Sequence, residues 1–188
     1  VVGDNEPRMA EAMKIALDRS DVVICSGGLG PTEDDMTKEV ACRVMGEKLV
    51  EDPETRRLIK TYMGAFAKSH RGYQITENNW KQAMVPEHGI VLKNDNGTAP
   101  GIIIDKNQKI MVLLPGPPIE MKPLFDQQVF PYLRKKQTEV IYSTTLKIVG
   151  SGESYVEMSI RDLIDRQTNP TIATYAKTGE VHLRLTAK

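Results

Sequence analysis

The sequence predicts an α/β protein: a three-layer α/β/α arrangement around a mostly parallel mixed sheet, followed by a small α+β unit. Three observations carry this expectation. Apolar runs rich in β-branched residues (22–25, 102–104 and 110–114) alternate with segments of helical periodicity. Two of those runs are separated only by the polar link Asp105 to Lys109, which puts an antiparallel hairpin into the sheet. After Val140 the pattern restarts with a strand, a helix and two further strands of its own.

Taken in order, Asp4 or Asn5 caps a first helix with Pro7 in its opening turn, where a missing N–H costs nothing. Met9, Met13, Ala16 and Leu17 fall on one face of it. Residues 21–25 read as a buried parallel strand. A second helix is expected from about Asp34, turning Met36, Val40 and Val44 inward. Pro53 opens a long helix to about Ser69, and Thr76 caps a short one ending before Pro86. After the hairpin, a glycine–proline loop leads into a helix from about Ile119 to Lys135. A boundary between Arg134 and Glu139 gives units 1–137 and 138–188. The second begins with a strand over 144–149 and the turn Gly150-Ser151-Gly152. A helix carrying Val156, Ile160, Leu163 and Ile164 follows, then strands over 171–175 and 181–185 around Lys177-Thr178-Gly179. The opening Val1-Val2-Gly3-Asp4 reads as the end of a strand, so the sequence is expected to be a fragment.

Composition narrows the partners. The 188 residues are 40% hydrophobic and 27% charged, with a formal net charge of zero. No run of lysine and arginine exceeds the three residues Arg134-Lys135-Lys136, which argues against nucleic acid held by general electrostatics. No stretch approaches the roughly 20 apolar residues of a membrane span. Cys25 and Cys42 are too few for a disulfide framework and fit buried thiols of a reducing cytoplasm. Asn96-Gly97-Thr98 matches a glycosylation sequon, but nothing else points to secretion. His70, His88 and His182 lack metal-ligand spacing, and Trp80 and Tyr73 read as core or rim packing.

Chemistry concentrates in three loops. Ser26-Gly27-Gly28-Leu29-Gly30-Pro31-Thr32 joins a strand to a helix start, where bare backbone and unpaired N–H groups suit a phosphate. Glu33, Asp34 and Asp35 follow at once. One carboxylate there is ordinary capping, but three beside a phosphate would repel it unless a cation sat between. The second loop runs from Lys93 and Asn94 through Gly97 and Thr98 to Gly101. The third is Pro115-Gly116-Pro117-Pro118, where glycine is expected to supply an unusual backbone angle. The first and third leave the carboxyl ends of strands, where α/β sheets hold ligands.

The stretches SGGLGPTEDDMTKEV, NGTAPG and LPGPPIEMKPLF together resemble the N-terminal domain of the CinA (competence/damage-inducible protein A) family, within the molybdopterin-binding superfamily of MogA and MoaB. VGSGESYVEMSIRDLI and NPTIATYAKTGEVHLRLTAK resemble the small KH-like domain that follows in CinA proteins. The resemblance implies a metal-dependent pyrophosphatase that cleaves ADP-ribose to AMP and ribose 5-phosphate. It implies Asp35 as first metal ligand, from the match of Asp35-Met36-Thr37 to the superfamily's aspartate–hydrophobic–threonine pattern. Asp34, where molybdopterin relatives often carry arginine, would be second ligand or water-orienting base. Mg²⁺, Co²⁺ or Mn²⁺ would be the cofactor. Candidate substrate-binding residues are Ser26, Gly27, Gly28, Gly30, Thr32, Lys93, Asn94, Gly97, Thr98, Pro115, Gly116, Pro117 and Lys122. A homodimer is the expected assembly. Members normally carry a strand and helix before Val1, and many continue into a nicotinamide mononucleotide deamidase domain whose activity is not carried over. The alternatives are a molybdopterin-binding adenylyltransferase and a catalytically silent nucleotide-binding or oligomerisation module. RNA binding is disfavoured, because Glu153 after Gly150-Ser151-Gly152 puts an acid where a backbone clamp needs none.

Overall fold

The computed structural model describes residues 1–69, 76–137 and 140–188. His70, Tyr73 and Glu139, named above, lie outside them. The chain separates into two units, Val1–Lys135 and Lys136–Lys188.

In the first unit, Asn5 caps α1 (Glu6–Arg19) by accepting the Arg8 N–H, and Met9, Met13 and Leu17 are buried at helical spacing. β1 (Val22–Ser26) follows, then α2 (Thr37–Met45). α2 ends at Gly46, whose φ of 66° is the left-handed cap, and Glu47 N–H reaches back to the Cys42 carbonyl. β2 (Leu49–Glu51) leads to α3 (Pro53–Ser69), capped by Asp52, whose Oδ2 accepts both the N–H and the hydroxyl of Thr55. A 3₁₀ turn (Glu77–Ala83) precedes the short strands β3 (Met84–Pro86) and β4 (Ile90–Leu92). β5 (Gly101–Lys106) and β6 (Lys109–Leu114) form the expected hairpin. Asn107 and Gln108, both at positive φ, make its two-residue turn. α4 (Pro118–Leu124), a π turn (Phe125–Val129) and α5 (Phe130–Lys136) complete the unit.

The sheet runs β1-β6-β5-β4. It is mixed, as expected, but β1–β6 is its one parallel pairing among the described residues, so antiparallel pairing predominates. Strand alternation divides the hairpin between two cores. Ile102, Ile104, Met111 and Leu113 face α1 and α2, while Ile103, Ile110, Val112 and Leu114 meet Leu124 and Val129. Fully burying such a side chain contributes about 1.5–3 kcal/mol. An exposed ion pair such as Arg43–Glu6 contributes about 0–1 kcal/mol. The two apolar faces therefore hold the three layers together. α3 packs separately, through Ile59 and Met63 against Ala83 and Trp80, with the Arg56 guanidinium 4.1 Å from the Trp80 ring centre.

Several expectations need correction. β1 is parallel but not buried: among the described residues it is an edge, and Val22 and Ile24 are 37% and 48% exposed. α2 starts at Thr37 rather than Asp34, because Asp35 closes a turn of its own first. The three-residue strands β2, β3 and β4 are too short to show a period in sequence. The helix expected from Ile119 begins at Pro118 and contains the π turn, beside Pro123 and Pro131, which cannot donate N–H groups.

The second unit is an antiparallel sheet β7-β9-β8 with two short helices. Its elements are β7 (Tyr142–Val149), α6 (Glu153–Ser159), α7 (Arg161–Asp165), β8 (Thr171–Lys177) and β9 (Glu180–Ala187). The single helix expected here is broken at Ile160. Val156, Val181 and Leu183 form its buried centre.

Glu47, just past the cap of α2, ties that helix to β5. It accepts Lys106 Nζ at 2.7 Å and lies 3.0 Å from His88 Nδ1. These partners, Lys106 first, hold its carboxyl at about 2, below the ordinary 4.5. A carboxyl lowered in the folded state stabilises above its unfolded pKa and loses that contribution as pH falls towards its folded one. Wild-type stability should therefore fall between about pH 4.5 and pH 2. In Glu47→Gln that loss should be smaller and the stability at pH 7 lower, measured by urea unfolding across the range. An identical pH profile in the two proteins would show that this contact adds nothing.

Candidate functional site

The parallel pairing of β1 and β6 brings two glycine loops side by side. Cys25 stands opposite Leu113 and Ser26 opposite Leu114, so both strands end together. Gly27 N–H continues the ladder onto the Leu114 carbonyl at 2.9 Å. A Cβ on Gly116 would lie 3.5 Å from the Gly27 Cα. The antiparallel β5 starts at this same end, which delivers the 94–99 loop to it. Between the three loops lies a cavity of about 450 Å³. Its walls are Gly27 to Gly30, the 96–99 segment, Pro115 to Pro117, and the side chains of Asp35, Tyr62, Gln82 and Glu120. A neighbouring cavity of about 490 Å³ lies beyond Tyr62, Gly97 and Thr98. Its charged groups are already paired: Asp52 caps α3, Glu54 holds Arg57 and Lys93 holds Asp95.

The glycines make room for side chains as well as for backbone. A Cβ on Gly28, whose φ is 68°, would overlap the Thr37 hydroxyl. One on Gly30 would overlap the Asp35 carboxylate, and one on Gly97 would overlap Glu120 Oε2. Two carboxylates thus occupy volumes that only glycine leaves open.

Asp35 is fixed by its own loop. Its Oδ2 accepts the Thr32 N–H at 3.0 Å and the Thr32 hydroxyl at 2.5 Å, while its N–H returns to the Thr32 carbonyl. Partial burial pushes its carboxyl up. The hydroxyl and N–H of Thr32, the N–H of Gly30 and the charge of Lys81 outweigh this, holding it below the ordinary carboxylate range. Lys81 clamps the same turn from behind, donating to the carbonyls of Thr32 at 2.8 Å and Asp35 at 2.6 Å. Lys38, buried at the start of α2, donates in turn to the Lys81 carbonyl at 2.6 Å. Burial brings the Lys38 amine down to about 8, with neighbouring Glu39 opposing.

Glu120 joins the second loop to the third. Asn94 Nδ2 donates to its Oε2 at 2.7 Å and to the Ala99 carbonyl at 2.8 Å. Asn96 Nδ2 reaches the Ile119 carbonyl at 3.2 Å. Gln82, 2% exposed, donates to the Leu29 carbonyl at 3.4 Å.

Of the residues singled out in sequence, Gly27, Gly28, Gly30, Asp35, Gly97, Thr98, Pro115, Gly116 and Pro117 line the cavity together. The others do not. Asp34 is exposed outside the wall, because the turn closed by Thr32 and Asp35 points only Asp35 inward. Thr32 spends its donors on Asp35, and Asn94 spends its amide on Ala99 and Glu120. Ser26 lines a different groove, between α1 and β1. Lys93 pairs with Asp95 at 2.7 Å, and Lys122 is exposed on α4. Thr37 N–H, the first of α2, is taken by the Gly28 carbonyl at 3.1 Å and is not offered to a phosphate. Gly116 has no positive φ, so its value lies in space alone. Glu120, Gln82, Lys81 and Lys38 were not foreseen; each is a polar residue in a segment whose exposed face is also polar.

Comparison with known proteins places this architecture. Residues 1–135 match the family described as "Probable molybdopterin binding domain", and residues 143–188 match "Damage-inducible protein CinA KH domain". A relative from Clostridium beijerinckii is 52% identical over 188 residues, all of this chain and 45% of its own length. The "CinA-like protein" of Dictyoglomus turgidum is 50% identical over 187 residues, covering 44% of that protein. The chain therefore spans less than half the length of the curated relatives it matches. The crystal structure of CinA from Thermoplasma acidophilum, of unknown function, aligns with a TM-score of 0.59 at 34% identity. That alignment covers 68% of this chain and 72% of that one. A molybdopterin-binding-like unit followed by a KH domain of the CinA type, with relatives half identical along the whole of this sequence, makes this chain a member of the CinA family.

Proposed function

We propose that the cavity binds the pyrophosphate of ADP-ribose together with a divalent cation, and that the chain hydrolyses it to AMP and ribose 5-phosphate. The observation that supports this most is the sign of the cavity's charge. Its acidic side chains are Asp35 and Glu120, and none of the described residues lining it is lysine, arginine or histidine. A phosphate oxygen about 4 Å from one carboxylate meets roughly 4 kcal/mol of repulsion at an effective dielectric of 20, close to a thousandfold in affinity. Glycine loops that leave their main chain open beside two acids therefore admit a polyanion only together with a cation.

The residues present fit a hard divalent ion, because the polar side chains they offer are carboxylate, amide and hydroxyl oxygens. Among the described residues no three His, Cys, Asp or Glu side chains gather into a complete cage. Mg²⁺ sites of one or two carboxylates, finished by phosphate oxygens and water, have this composition. Asp35 would hold the ion, already ionised and fixed by Thr32. When bound, the cation would neutralise phosphate charge and acidify a water for in-line attack. The chain's own part is positional. Gly27, Gly28 and Gly116 let the phosphates approach the main chain, Lys81 keeps the acidic turn closed, and Tyr62 stands at the rim shared with the neighbouring cavity. Water adds to one phosphorus and the bridging oxygen leaves with the other phosphate.

Purified protein given ADP-ribose with Mg²⁺, Co²⁺ or Mn²⁺ should release AMP and ribose 5-phosphate in equal amounts. The family description favours one rival, a molybdopterin-binding adenylyltransferase. Incorporation of AMP from ATP into molybdopterin, with no turnover of ADP-ribose, would establish that rival.

Two substitutions test the arrangement. Asp35→Asn keeps an acceptor for Thr32 and removes the charge; AMP release should fall by roughly 100-fold or more with the melting temperature little changed. Full activity in that folded variant would remove Asp35 from the reaction. Gly116→Val adds atoms against Gly27 without forcing a strained φ. It should weaken ADP-ribose binding roughly tenfold, about 1.4 kcal/mol, and leave Mn²⁺ affinity alone when followed by calorimetry. Unaltered substrate affinity would mean that this loop is only a turn.

A further inference from the structure

We infer that Glu120 and Gln82 complete, with Asp35, an all-oxygen site for a divalent cation. The inference rests on the metal-dependent reading above and assigns to that site two residues from elements far apart in sequence.

Glu120 is held at the cavity by contacts that leave part of it available. Asn94 occupies Oε2 at 2.7 Å, and the missing side chain of Gly97 gives that oxygen its place. Oε1 accepts no hydrogen bond among the described residues. Glu120 lines the same cavity as Asp35, whose own seat is the missing side chain of Gly30. Two carboxylates facing one space without a positive side chain in its wall repel each other, and that arrangement is stabilised by a cation between them.

Gln82 supplies an independent sign. The Leu29 carbonyl can only accept, so it fixes the amide nitrogen on its side and sends Oε1 the other way. That oxygen is buried, and among the described residues it has no partner. Buried amide oxygens are nearly always satisfied, so this one, in a residue that lines the cavity, lacks a partner that donates or is positively charged. A phosphate does neither once ionised. A cation is positively charged, and a water in its shell donates. Carboxylate, carboxylate and amide form the hard oxygen set that Mg²⁺ and Mn²⁺ prefer.

The probe is Mn²⁺, with the free ion counted by electron paramagnetic resonance, alone and with AMP present. Glu120→Gln keeps an acceptor for Asn94 and should raise the Mn²⁺ Kd about tenfold or more, as should Asp35→Asn. Gln82→Met, similar in volume but without the oxygen, should raise it several-fold. Asp34→Asn should leave it unchanged. Thermal melts report that each variant is folded. Wild-type Mn²⁺ affinity in folded Glu120→Gln overturns the inference. If Asp35→Asn alone has lost the ion, the metal-dependent reading stands without Glu120. If the wild-type protein takes up no Mn²⁺ even with AMP, both fall together.

Discussion

β6 pairs with β1 on one side and β5 on the other, and its side chains alternate between the two apolar cores. Because β1 runs parallel to it in unshifted register, Ser26 and Leu114 finish at the same level. Because β5 runs antiparallel, it begins where β6 ends. Three loops from distant parts of the chain are thereby delivered to one sheet end without any loop having to find another. Gly27 resting against Gly116 is the direct result, and so is the cavity between them.

Much of this was legible in the chain. Long apolar runs with β-branched residues marked β1, β5 and β6, and of the two caps expected for the first helix, Asp4 or Asn5, Asn5 is the one that forms. What stayed hidden was either short or ambiguous. A strand of three residues such as β4 has too few positions to display alternation. Val22 and Ile24 look buried by composition, yet among the described residues β1 pairs with β6 alone and they stay partly exposed. At the site, glycines and acids announced themselves because a strand-to-helix turn needs only one of the three carboxylates that follow the glycines. Glu120 and Gln82 did not, since a polar residue on an amphipathic segment looks the same whether it meets water or a cavity. Only the fold separates the two cases.

The charge around the acidic turn is arranged in depth. Asp35 faces the cavity, while Lys81 sits behind the turn and gives its protons to main-chain carbonyls rather than to the carboxylate. Its 3.9 Å approach to Glu39 is long for an ion pair, so hydrogen bonding to the turn is its principal work. Lys38, buried beneath, then holds the Lys81 backbone. Two amines thus stiffen the loop without cancelling the negative face it presents.

The seats beneath Asp35 and Glu120 carry a consequence for how such chains can diverge. Gly30 and Asp35 share a single volume, as do Gly97 and Glu120. A homologue that acquires a side chain at position 97 keeps this loop geometry only if residue 120 is shortened or its side chain swings aside, and position 30 answers to position 35 in the same way. Drift in this cavity is a matter of pairs rather than of single positions, and a substitution tolerable in one lineage becomes a clash when carried alone into another.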